Sequence, residues 1–137
     1  NELRPWDLSV DVEKRPPLKP FEDASEMVEK SIECLHQVNP FFGKAIATMK
    51  SMGHLDLESR NGTRPGGYNM PLPMTGAPFI FMNAAGTFKD VITMLHESGH
   101  ACHSFLTHHL NLNTNKKVPS EVAELAAMLS IKNNSTP

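Results

Sequence analysis

The sequence predicts a mainly α-helical domain with a short β-strand, or a small sheet, beside its longest helix. Three observations predict this. Apolar residues recur at helical spacing in four stretches, each opened by a capping residue or a proline. One short apolar run, Phe79-Ile80-Phe81-Met82, is bounded by Pro78 and a turn running from Asn83 to Gly86. The 137 residues, 39% apolar and 20% charged, suffice for one modest hydrophobic core.

Residues 1–20 carry Pro5, Pro16, Pro17 and Pro20 together with the only tryptophan, Trp6. Each proline removes a donor and pushes its predecessor toward extended geometry, so an extended arm is expected, packing Trp6 and Leu8 against the body. Two helices follow over 21–53. Asp23 and Glu26 make a capping box for the first, with Val28, Ile32 and Leu35 as its apolar stripe. Asn39 followed by Pro40 starts the second, whose stripe is Phe42, Ile46 and Met49 and whose stop is Gly53.

Residues 54–83 read as a loop and a strand. Pro65-Gly66-Gly67-Tyr68 and Pro71-Leu72-Pro73 make a long irregular segment of the kind that is often functional. It holds the only tyrosine, Tyr68, whose hydroxyl can serve structure or a ligand. A long helix is expected over 87–109, capped by Thr87 and Asp90. A last helix is expected over 118–131, with Pro119 near its start and Val122, Leu125, Ala126 and Leu129 as its buried stripe.

The long helix carries His96-Glu97-Ser98-Gly99-His100. Histidines at i and i+4 leave the same helix face one turn apart, and two neutral imidazoles so placed can hold a zinc ion. Glu97, beside the first of them, can act as general base toward a water that the metal acidifies, then pass the proton to a leaving amine. Gly99 lies where glycine costs about 1 kcal/mol against alanine, so a close packing neighbour is expected there. His103 suits a supporting or packing role. His108 and His109 near the helix end suit solvated surface, and His36 and His54 carry no assignment. A hydrolytic zinc site needs a third protein ligand and one open position. Glu121 and Glu124 are the carboxylates of the last helix available for it, although an acid in a first helical turn is also ordinary dipole complementation.

His96 to His103 followed by Pro119-Ser120-Glu121-Val122-Ala123-Glu124 resembles the zinc core of the oligoendopeptidase F and thimet oligopeptidase family. Pro65-Gly66-Gly67-Tyr68 and Pro78 to Asn83 are similar to segments that precede that core, and the resemblance runs from about Trp6 to about Met128. It implies a helical zincin-type metallopeptidase core that cleaves short unstructured peptides with one zinc ion. It also implies that the strand near Phe79–Met82 lines the cleft and pairs with substrate backbone as an edge strand, which makes Phe81 and Tyr68 substrate-binding candidates. The family pattern places a glutamate ligand two residues before the Pro-Ser pair. Lys117 stands there, and a cationic amine does not ligate zinc. The expected ligands are therefore His96, His100 and Glu121, with Glu97 as the catalytic group. The family's catalytic domain is much longer, and the chain opens on Asn1 and ends on a polar run, so residues 1–137 are expected to be a single partial catalytic domain whose remainder is missing.

The formal charge of −2 gives no reason to expect nucleic acid or an anionic membrane as partner. Cys34 and Cys102, far apart, suggest buried thiols and a cytoplasmic setting instead of a disulfide framework. Two rival readings stay open: a catalytically inactive fragment or binding module that keeps the scaffold, and a zinc hydrolase acting on another amide.

Overall fold

The computed structural model describes Arg4, Asp11, Glu13, Arg15, Pro16 and residues 18–132 except Pro65, with the backbone alone for 129–132. The arm's expected contacts through Trp6 and Leu8, and the side chain of Leu129, lie outside the described residues. Four α-helices surround a three-stranded sheet: α1 (Ala24–Val38), α2 (Pro40–Ser51), β1 (Leu55–Glu58), β2 (Gly67–Met70), β3 (Phe79–Ala84), α3 (Phe88–Thr107) and α4 (Ser120–Lys132). A 3-10 helix, Asn113–Lys116, lies between α3 and α4. Among the described residues no helix is long and apolar enough to cross a membrane.

The helix starts follow their local chemistry. The Asp23 carboxylate accepts from the Glu26 N–H at 2.8 Å, while Glu26 reaches back to the N–H of Glu22 at 2.6 Å. The orphan donors of the first turn are thereby satisfied. Asn39 caps α2 by accepting from the Phe41 N–H at 2.9 Å, with Pro40 at the first helical position. Gly53, with φ +68°, follows Met52, the C-cap residue of that helix. Asp90 anchors the start of α3, its carboxylate accepting from the N–H groups of Ala85 and Thr87 and from the Thr87 hydroxyl at 2.7–3.0 Å.

The core sits where α1, α2 and α3 meet the inner face of the sheet. Met27, Val28, Leu35, Ile46, Met49, Leu57, Ile80, Met82, Met94 and Leu95 form one continuous buried cluster. Burying a side chain of this size stabilises by about 1.5–3 kcal/mol. On β3 the alternation puts Ile80 and Met82 into this core and leaves Phe79 and Phe81 half-buried on the other face.

Sheet order differs from the expectation. The order is β1-β3-β2, with β1 parallel and β2 antiparallel to β3. The strand at Phe79–Ala84 is therefore central, both of its backbone edges are paired, and it cannot take a further strand. The outer positions belong to β1 and β2. Tyr68 lies opposite Phe81 in the β2–β3 register, and their rings stack with centroids 5.3 Å apart.

The last helix is also turned relative to the expectation. Ala127 is fully buried and Ala123 half-buried, whereas Val122, Leu125 and Met128 are 51–62% exposed. α4 thus packs on α3 through a face of small residues, and Val122, Leu125 and Met128 point outward. Alanines allow two helix backbones to approach more closely than leucine and valine would.

Candidate metal centre

α3 is the floor of the site. His96 and His100 project from it one turn apart, their Nε2 atoms 3.1 Å from each other and their rings nearly perpendicular. The carboxylate of Glu124 on α4 reaches both: its two oxygens lie 3.0 Å from His96 Nε2 and 3.5 Å from His100 Nε2. Ligands 2.0–2.2 Å from a tetrahedral ion are separated from each other by about 3.3–3.6 Å. The three observed separations fall around that range, and two imidazoles with one carboxylate are a donor set suited to a divalent metal. His96, His100 and Glu124 form the group of potential ligands found among the described residues.

Glu121, expected as the third ligand, is not in this group. It sits exposed in the first turn of α4 beside the Ser120 hydroxyl at 3.4 Å. Helix geometry gives the reason. At about 100° per residue, Glu124 is about 60° around the axis from the buried Ala127, and Glu121 about 120° away. Lys117 lines the same cleft but lies before α4 and takes no part in the cluster. In the sequence this face is marked only by the small residues Ala123 and Ala127, a faint signal beside the larger apolar residues of the same stretch.

Glu97 is 7% exposed, against the floor of the cleft. Burial pushes its carboxyl above the ordinary carboxylate range and the nearby Glu124 charge adds to this, while His96 and the backbone of Asn69 oppose it. Burial, followed by repulsion from His96, holds His100 below the usual imidazole range, with Glu124 opposing. That imidazole is kept in the neutral form a metal requires.

β2 forms one side of the cleft. Gly67, Tyr68 and Asn69 line it, and the Asn69 side-chain amide donates to the backbone carbonyl of Glu97 at 3.4 Å. A Cβ on Gly67 would lie 2.8 Å from Thr93 Cγ2 and 2.9 Å from Met82 Cγ, so glycine is what lets this strand lie against α3. Phe81 does not line the cleft; it supports Tyr68 from behind. Gly67 belongs to the Pro65-Gly66-Gly67-Tyr68 segment that the resemblance includes, whereas Asn69 carries no motif that would single it out in the sequence. His103 lines the cleft outside the potential ligand group, and Gly99 is buried in α3. His108, expected on solvated surface, is exposed but packs its ring on Gly76, where a Cβ would lie 2.7 Å from it. The cleft encloses about 770 Å³, room for several residues of extended peptide.

Comparison with known proteins agrees with this architecture. A family model described as peptidase family M3 matches residues 19–130. Oligoendopeptidase F, chromosomal, of Lactococcus lactis subsp. cremoris is 29% identical over 103 residues, which are 75% of this chain and 17% of that protein. Among solved structures, a Bacillus anthracis protein described as an oligoendopeptidase F superposes with a TM-score of 0.85 at 25% identity, over 95% of this chain and 24% of that one. PZ peptidase A with an inhibitor superposes with a TM-score of 0.76 at 28% identity, over 81% of this chain and 20% of that one. This chain spans about a fifth of the length of these relatives, and it belongs to peptidase family M3.

Proposed function

We propose that the chain is the core of a zinc-dependent endopeptidase acting on short peptides, with His96, His100 and Glu124 as the zinc ligands and Glu97 as the catalytic group. The observation that carries this reading is the convergence of two imidazole nitrogens and one carboxylate from separate helices, at ligand–ligand spacing, beside a buried second carboxylate. When bound, zinc supplies Lewis acidity toward a peptide carbonyl and toward water.

The chain's own groups do the rest. Glu97 takes the proton of the attacking water as the new C–O bond forms, and returns it to the amine as the C–N bond breaks. Its raised proton affinity suits the second half of this task, because a carboxyl that holds its proton more firmly survives as an acid until the amine departs. Asn69 ties β2 to the backbone of Glu97. A peptide laid along the outer edge of β2 would then be held by main-chain hydrogen bonds in register with the base. Tyr68 offers its ring and hydroxyl to that peptide.

The test joins metal analysis with cleavage of a quenched fluorescent peptide. One equivalent of zinc, and cleavage that drops by at least about 10²-fold in Glu97→Gln, is the expected result. A second reading is favoured by the chain spanning only 17% of its curated relative: the site then binds metal and peptide without turnover. Zinc binding with no cleavage in the parent chain would select it. A chain that binds no zinc would remove both readings.

A further inference from the structure

The cleft holds charge that neither the metal cluster nor the base uses. Lys116 and Lys117, at the end of the 3-10 helix between α3 and α4, both line it, Lys116 half-buried and Lys117 exposed. Neither makes an ion pair among the described residues, whereas Arg15, Lys19, Lys30, Lys50 and Arg60 each pair with a carboxylate. The acids that line the cleft are Glu97 and Glu124, and the site described above occupies both. Another part of the lining is apolar and uncharged: Pro71, Leu72, Pro73 and Pro78.

We propose that Lys116 and Lys117 select a carboxylate on the bound peptide. The reading rests on the proposed peptidase site. Two ammonium groups in one concave region raise the local concentration of an anionic ligand, and partial exclusion of water strengthens their pull. The carboxylate is either the peptide's own C-terminus or an acidic side chain. The apolar lining at Pro71–Pro73 takes an uncharged residue. Lys117 thereby has a role that its failure to ligate the metal leaves open.

The experiment uses the whole chain carrying Glu97→Gln, so that bound peptide is not consumed, and reads the fluorescence anisotropy of labelled peptides. Four peptides of one length are compared: free C-terminus or C-terminal amide, each with an internal Glu or Gln. Expected is about 5- to 10-fold tighter binding of peptides with the selected carboxylate, from two partly exposed charge pairs. The amide pair and the Glu/Gln pair show which carboxylate is read. The preference shrinks at high salt, disappears in Lys116→Gln/Lys117→Gln and reverses in Lys116→Glu/Lys117→Glu. Equal binding of all four peptides, or a preference that survives the double glutamine variant, overturns the proposal. Cleavage by the parent chain is followed in parallel. Cleavage without carboxylate preference overturns the lysine proposal alone, carboxylate-dependent binding without cleavage overturns the peptidase reading alone, and no binding at all overturns both.

Discussion

At the scale of single residues, the site depends on which carboxylate faces the histidine pair. Glu124→Gln removes an anionic group from the proposed ligand cluster, whereas Glu121→Gln changes an exposed side chain. Zinc affinity measured by competition with a chromophoric chelator should fall by more than about 10-fold in Glu124→Gln and stay within about twofold in Glu121→Gln. The reverse order would restore Glu121 as ligand. Glu97 yields a second prediction, for stability of the metal-free chain. Its folded proton affinity lies above the ordinary value of 4.5. Below that pH the group is neutral in both folded and unfolded chains and contributes nothing. As pH rises through the folded value the unfolded chain has already lost its proton, so this group progressively destabilises the fold. Metal-free Glu97→Gln should therefore melt above the parent at pH 7, and the difference should close below about pH 4.5. A gap independent of pH would contradict desolvation as its cause. Cys102 is a simpler case: burial pushes its thiol up to about 12, so it should resist alkylation in the folded chain at neutral pH and react on unfolding.

At the scale of elements, two glycines separate packing from function. A Cβ on Gly43 would lie 2.7 Å from His36 Cβ and 2.9 Å from the Ile32 carbonyl oxygen, between α2 and α1. One on Gly67 would push β2 away from α3. Both alanine variants should lose about 1–3 kcal/mol in denaturant titration. Only Gly67→Ala should also weaken peptide binding, because in the proposed reading β2 carries the edge that holds the peptide beside Glu97. Equal loss of binding in both would indicate a general effect of stability. The helices themselves were legible locally: Asp23, Asn39-Pro40 and Thr87-Asp90 satisfy orphan donors through neighbours a few residues away. β1 and β2 were not. β1 is four residues long, and β2 is rich in glycine and asparagine, which are poor strand formers. Their pairing with β3 decides them, and that pairing joins residues far apart in sequence.

At the scale of the molecule, the proposed metal site joins α3 to α4. Among its described side chains α4 buries alanine and turns Val122, Leu125 and Met128 outward, so these residues hold it only modestly through apolar burial. Zinc should therefore stabilise the fold by linkage, about 2.7 kcal/mol at a free concentration 100 times the dissociation constant. It should also slow amide exchange most in α4. A chelator should reverse both effects, and unchanged α4 protection would show that the helix docks without the ion.

The sequence by itself determined whatever depends on neighbours within a helical turn. His96, Glu97 and His100 were found because a 3.6-residue repeat fixes which side chains share a face. The capped starts of α1, α2 and α3 followed for the same reason. Tertiary structure alone decided that Glu124 faces the histidines, that β2 and not β3 is the edge strand beside the cleft, and that Lys117 lines the cleft apart from the proposed ligands. Each of these depends on how one element is rotated or ordered against another. Close approach through Ala123, Ala127 and Gly67 sets that arrangement, and small side chains give little sign of it in a linear pattern of hydrophobic residues.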